Sequence, residues 1–195
     1  MQAVSIFSVL FFLSCLPDAT FSVSDNGETY VREACSVTSY QDLCVHSLSS
    51  FSHTAKRNPS KWARAGVSVT LGAVKSTSQY LYKLQTHKVM KGRDKLALSD
   101  CVELFQDAID DLHKSLGVLR NLDPSKFADQ IEDVNTWLSA VLTGQDTCLD
   151  GIQSRRSRRL KMLRSRVLRA TYFSSNALAL VNKLASTGLK RVSSP

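Results

Sequence analysis

Several familiar signals are missing from this sequence. No stretch alternates apolar and polar residues with period two for long enough to make a strand, which removes sheet architectures. No Cys-x-x-Cys pair occurs, and His46, His53, His87 and His113 lack His-x-x-x-His or related spacing, so no metal site and no cofactor are expected. Gly-x-Ser-x-Gly, His-Glu-x-x-His and glycine-rich phosphate loops are absent, leaving an enzyme reading without a nucleophile, base or metal. Acid pairs such as Asp110 with Asp111, or Asp107 with Asp111, lie off any apolar stripe and read as a solvated face. The Asn58-Pro59-Ser60 sequon fails on its proline and no other exists, so no N-glycan is expected.

What is present fits one domain with a true core: 195 residues, 43% of them hydrophobic. The charge-free run "AVSIFSVLFFLSCL", Ala3 to Leu16, has the length of a signal-peptide apolar region and is too short to span a bilayer comfortably. Residues 1–24 are therefore expected to be removed, with cleavage between residues 19 and 25, leaving 25–195 as the mature domain. A basic stop-transfer cluster does not follow the run and no second apolar run could span, so the mature form is expected off the membrane. Removal takes away one Asp and no Lys or Arg, raising the net charge from +8 to +9. That excess suits an acidic polysaccharide, an acidic partner or a lipid surface; secretion argues against nucleic acid.

Secretion also decides how the cysteines read. Cys15 leaves with the signal, and Cys35, Cys44, Cys101 and Cys148 form an even set in an oxidising compartment, implying two bridges in one of three connectivities. Periodicity bears on which. Val67, Leu71, Val74, Leu81 and Leu84 make one helical stripe, and a second runs from Leu98 through Cys101, Phe105 and Leu112 to Leu119, with Ser99 and Glu103 off register for a capping box. After "NLDPS" a third stripe runs from Phe127 to Val141, and a fourth from Leu163 to Leu184 follows a basic run. Four such helices pack most simply as an all-α, antiparallel up-down-up-down four-helix bundle. A hairpin turning near residues 121–125 sets Cys101 beside roughly residue 145, one turn from Cys148, so a Cys101–Cys148 bridge would staple the open end of the hairpin. Cys35 and Cys44 would then close a small loop between "NGETYVREAC" and "YQDLCVHSLSSF", an N-terminal helical hairpin.

The blocks "CSVTSYQDLCVHSL", "ALSDCVELFQDAIDDLHKSL", "DVNTWLSAVLTGQDTCLDG" and "SSNALALVNKLA" resemble the signature blocks of plant pectin methylesterase inhibitors, over about Glu28 to Leu184. The resemblance implies a secreted bundle with an N-terminal hairpin, first cysteine bridged to second and third to fourth, and reversible inhibition of a cell-wall carbohydrate enzyme in the apoplast. Invertase inhibitors share the superfamily; "TWLSAVLTGQDTC" is similar to the methylesterase-inhibitor pattern. "PSKF", Pro124 to Phe127, resembles the invertase-inhibitor Pro-Lys-Phe element only with Ser125 inserted, and reads as a turn followed by a core residue. Similar domains also occur as pro-regions of the methylesterases; the chain's end at Pro195 gives the expectation that no catalytic domain follows. The resemblance implies occlusion of the pectin cleft by a face of the second, third and fourth helices. Thr143 and Asp146 are the candidate contacts at the stapled end of the third helix, joined by Glu103, Asp107 and Asp110 of one helix and Gln79 and Tyr82 of another. The run "RRSRRLKMLRSRVLR" from Arg155 reads as a solvated face that also grips polyanionic pectin through Arg155, Arg156, Arg158 and Arg159, rather than as a processing site, where cutting would detach the last core helix. An invertase inhibitor and a non-inhibitory pectin-binding wall protein are the alternative readings.

Overall fold

The computed structural model describes residues 26–87, 90–152 and 158–189. The signal-peptide expectation, and Arg155 and Arg156, lie outside them. Among the described residues the chain is helical: α1 (Asn26–Cys35), α2 (Gln41–Leu48), a 3₁₀ turn (Ser49–Phe51), α3 (Ser52–Ala55), α4 (Pro59–Thr86), α5 (Arg93–Arg120), α6 (Phe127–Gly151) and α7 (Arg158–Thr187). The four long helices pack in a closed ring, α4 on α5, α5 on α6, α6 on α7 and α7 back on α4.

Local chemistry sets their ends. Asn58 caps α4, its side-chain oxygen accepting from Lys61 N at 3.1 Å, and Pro59 takes the first turn, where a missing N–H costs nothing. Gly92, at φ 56° and ψ −132°, opens α5 from a conformation closed to most side chains. Gly188, at φ 67°, closes α7 by donating its N–H to Leu184 O. Two helices begin earlier than their apolar stripes: α5 at Arg93, so Ser99 lies inside the helix rather than at a cap, and α7 at Arg158, so Arg158 and Arg159 belong to the last helix instead of preceding it. The first turn of α5 carries no buried residue, whereas in α7 Leu160 is buried and extends the stripe of Leu163 and Val167 toward Arg158.

The predicted stripes meet in the core. Val67, Val74, Leu81, Phe105, Leu112, Val134, Leu138, Leu163, Val167 and Leu184 are fully buried. At Gly66 the two neighbouring helices come close enough that an added Cβ would stand 2.8 Å from Leu180 Cδ1. One turn along, the Thr70 hydroxyl reaches Gly66 O on its own helix at 2.8 Å and Phe173 O on α7 at 3.0 Å.

A second apolar cluster seats the N-terminal segment, with Val31, Ala34, Cys35, Cys44 and Leu48 packed on Trp62 and Ala65 of α4 and Leu180 of α7. Cys35 is bonded to Cys44 and Cys101 to Cys148. Asn176 of α7 holds the α1–α2 turn like a backbone partner, donating from Nδ2 to Tyr40 O at 2.9 Å and accepting from Tyr40 N at 3.1 Å. The Tyr40 ring stacks on Tyr172 with centroids 4.0 Å apart, and Lys183 donates to Glu33 O. The hairpin is thus fastened to α7 by polar groups as well as by its core.

Candidate functional site

The Cys101–Cys148 bridge fixes the register of α5 against α6. Antiparallel geometry then sets Thr143 beside the turn holding Phe105 to Asp107, and the structure has an open groove there. Gly144 makes its floor possible: a Cβ built at that position would lie 3.6 Å from Leu104 Cδ2, so a residue much larger than glycine would fill the space. Leu104, Ala108, Ala140 and Val141 supply the apolar lining. Asp107, Asp110 and Asp111 stand along one wall, Thr143 and Thr147 along the other. Asp111 is half-buried and paired with Lys114 at 3.0 Å, which places one cation on the rim of an otherwise acidic wall.

Three of the seven candidate interface residues, Asp107, Asp110 and Thr143, share this groove. Glu103 and Asp146 are exposed on the same two helices but do not line it, and Gln79 and Tyr82 are exposed on α4, which is not packed on α6. The hydroxyl of Thr143 donates to Ser139 O and that of Thr147 to Thr143 O, leaving each an oxygen that can still accept. Sequence reasoning missed Thr147, Gly144 and Leu104 as part of the site. Their spacing to Thr143 and Asp107 was the available signal, once the disulfide register was taken down to single residues.

The groove belongs to a wider division of charge. Helices α5 and α6 carry eleven Asp or Glu, six on α5 and five on α6, against four Lys or Arg, all on α5. Helices α4 and α7 carry eleven Lys or Arg, four on α4 and seven on α7, and no acid. Because α5 neighbours α6 and α7 neighbours α4 around the ring, the bundle has an acidic side and a basic side. Arg158 and Arg159 are exposed in the first turn of α7, on the basic side.

At the far end of the α5–α6 hairpin, the "PSKF" segment forms a turn at Pro124 to Lys126 and sends Phe127 against the core. The Asp123 carboxylate accepts from both Ser125 Oγ at 2.7 Å and Ser125 N at 2.8 Å. The Ser125 hydroxyl, then its backbone N–H, hold that carboxyl below the usual carboxylate range. Gln130 completes the clamp, accepting from Asp123 N and donating to Asn121 O. No cluster of three or more His, Cys, Asp or Glu suited to a metal ion occurs among the described residues, and no helix there is long and apolar enough to cross a membrane.

Comparison with known proteins places this architecture. Pectinesterase inhibitor 6 of Arabidopsis thaliana is 50% identical over 163 residues, spanning 83% of this chain and 78% of that protein. Pectinesterase inhibitor 3 of the same plant is 35% identical over 169 residues, spanning 84% and 82%. The crystal structure of mutant form A of a pectin methylesterase inhibitor from Arabidopsis superposes with a TM-score of 0.62 at 24% identity, covering 76% of this chain and 92% of that one, a likeness of fold. The family model described as plant invertase/pectin methylesterase inhibitor matches residues 29–180, and the chain belongs to that family.

Proposed function

We propose that the protein is a secreted inhibitor of pectin methylesterase that binds the enzyme reversibly through the α5–α6 side of the bundle and keeps pectin out of its cleft. The observation that carries this reading is the groove in which Asp107, Asp110 and Thr143 stand together beside the Cys101–Cys148 bridge. A disulfide-fixed helix pair presents polar groups without a large ordering cost, which favours tight recognition by a rigid surface. The enzyme's product is a polymer of carboxylated sugars, so a cleft that accommodates it tolerates anions, and an acidic wall is a suitable plug. Half identity to Pectinesterase inhibitor 6 over most of both chains supports the choice of enzyme.

Residues 1–24 act as the signal that takes the chain to the apoplast, where both bridges persist and the mature form is free of the membrane. Acidic pectin is a second partner, and Arg155, Arg156, Arg158 and Arg159 add a salt-screened attraction to it.

Incubating the mature chain separately with pectin methylesterase, invertase and demethylesterified pectin tests the reading. Methylesterase inhibition is expected. Inhibition of invertase alone, or pectin binding with neither enzyme inhibited, would replace it. Combining Asp107→Asn, Asp110→Asn and Thr143→Ala should weaken inhibition tenfold or more, about 1.4 kcal/mol. The thermal midpoint should not fall, because all three side chains are exposed. A lower midpoint with unchanged inhibition would remove the groove from the interface.

A further inference from the structure

On the opposite side of the bundle, α4 and α7 form a second open groove, lined among others by Ser76, Met162, Ser165, Arg166, Arg169 and Phe173. Both arginines are exposed and stand over aromatic rings: Arg166 over Tyr80 with the guanidinium carbon 4.6 Å from the centroid, Arg169 over Phe173 at 5.9 Å. A cation–π contact uses the guanidinium's charge without consuming its N–H donors; at 4.6 Å that of Arg166 is the close one, while Arg169 sits at the outer limit of such contact. Neither arginine is in an ion pair or donates a hydrogen bond to protein among the described residues, and neither helix of the groove carries an acid that would compete. Arg166 is therefore held in place by Tyr80, Arg169 lies three residues along the same helix, and the donors of both are unspent.

We propose that this groove is a binding site for a polyuronate, a polysaccharide with a carboxylate on each sugar, separate from the enzyme-binding groove and from the exposed arginines at the start of α7. The carboxylate fork matches the guanidinium edge, where two parallel N–H···O bonds form. Arg166 and Arg169 lie three residues apart on α7, about 4.5 Å of helical rise, so both line one groove along which a chain bearing repeated carboxylates can run. Ser76 and Ser165 offer hydroxyls to the ring hydroxyls, while Met162 and Phe173 meet the apolar C–H faces of the sugars. A flexible polyphosphate would use the charge and leave the apolar lining idle. The choice of polymer rests on the inhibitor reading, since the enzyme inhibited would generate it; the site itself does not.

The test is titration of the full mature chain with polygalacturonate, fully methyl-esterified polygalacturonate, dextran sulfate and phosphatidylserine vesicles, each at low and physiological salt. Polygalacturonate should bind and weaken with salt, the methyl ester should bind at least tenfold more weakly, and the paired Arg166→Gln and Arg169→Gln variant should lose at least tenfold. Methylesterase inhibition by that variant should stay within twofold of the parent. The variant with Arg155, Arg156, Arg158 and Arg159 changed to Gln separates the two sites, and it should keep more than half of the parent's affinity. Equal binding of the methyl ester, tighter binding of dextran sulfate or vesicles, or an unchanged affinity in the Arg166 and Arg169 variant would each overturn the site. A parent chain that binds polygalacturonate but inhibits no methylesterase would remove the inhibitor reading and leave the site standing.

Discussion

At Gly66 the spacing of two core helices rests on one absent methyl group. A Cβ there would meet Leu180 Cδ1 at 2.8 Å and Ala177 Cα at 3.5 Å, and Leu180 is itself buried where the N-terminal segment docks. Gly66→Val therefore overpacks two clusters at once and should lower stability by about 1–3 kcal/mol. Gly72 lies six residues along the same helix with nothing within 4 Å of the position its Cβ would take, so Gly72→Ala should raise stability by about 0.5–1 kcal/mol through helix propensity. Urea unfolding of the two variants decides the matter, since propensity alone would move both upward or leave Gly66→Val near neutral. Identity at a single position also limits what a stripe can reveal. Gln145 is fully buried on α6 in register with the apolar residues, and neither of its amide atoms is hydrogen-bonded among the described residues. Its polarity hid it from a hydrophobic pattern, and only the packed helix pair displays it as core.

The two disulfides differ in the length of chain they close, and their loss should differ accordingly. Replacing Cys101 and Cys148 by Ala opens a constraint spanning 47 residues and should cost about 4 kcal/mol; replacing Cys35 and Cys44, which are 9 apart, should cost about 3 kcal/mol. Denaturant midpoints at constant m-value would check the order, and a reversal would mean that the α1–α2 segment carries more of the global stability than its size implies. The α5–α6 connection responds instead to acid. Because Ser125 depresses the Asp123 carboxyl, the charged form is favoured in the folded state, so this stabilisation is present above the ordinary aspartate range and is lost as pH falls through the lowered value. Carboxyl NMR titration should find Asp123 below ordinary aspartates, and Ser125→Ala should move it up. An unmoved Asp123 would mean that the hydrogen bonds do not form in solution. At this scale much was legible from sequence. Buried residues repeat with the helical period whether or not the fold is known, and the turn at "NLDPS" sets the register that brings Cys101 to Cys148. The first turn of α5 was not legible, because Arg93 and Lys95 are exposed and no residue there is buried; in α7 the signal was present in Leu160, which is buried in register with Leu163 and Val167. Nor was the Asn176 clamp on Tyr40, since a polar residue in a helix announces a partner only when the segment that it holds has been placed 136 residues away.

The acidic and basic sides of the bundle give the whole molecule an orientation before it touches anything. The net positive charge would by itself push a cationic enzyme rim away, yet the α5–α6 side concentrates eleven acids against four bases, so a partner approaching that side meets local attraction. Such steering acts on association more than on dissociation, and it fades as salt shortens the Debye length from about 30 Å at 0.01 M to about 8 Å at 0.15 M. Over that range the association rate with pectin methylesterase should fall roughly tenfold, while the dissociation rate should stay within about twofold. Neutralising Asp107 and Asp110 to Asn should slow association at low salt and flatten its salt dependence, whereas the Arg166 and Arg169 replacements on the far side should speed it slightly by removing repulsion. Stopped-flow inhibition measured against ionic strength reads all of these rates. The opposite pattern, with faster association on losing the acids and slower on losing the arginines, would put the basic side against the enzyme and exchange the two surfaces assigned here.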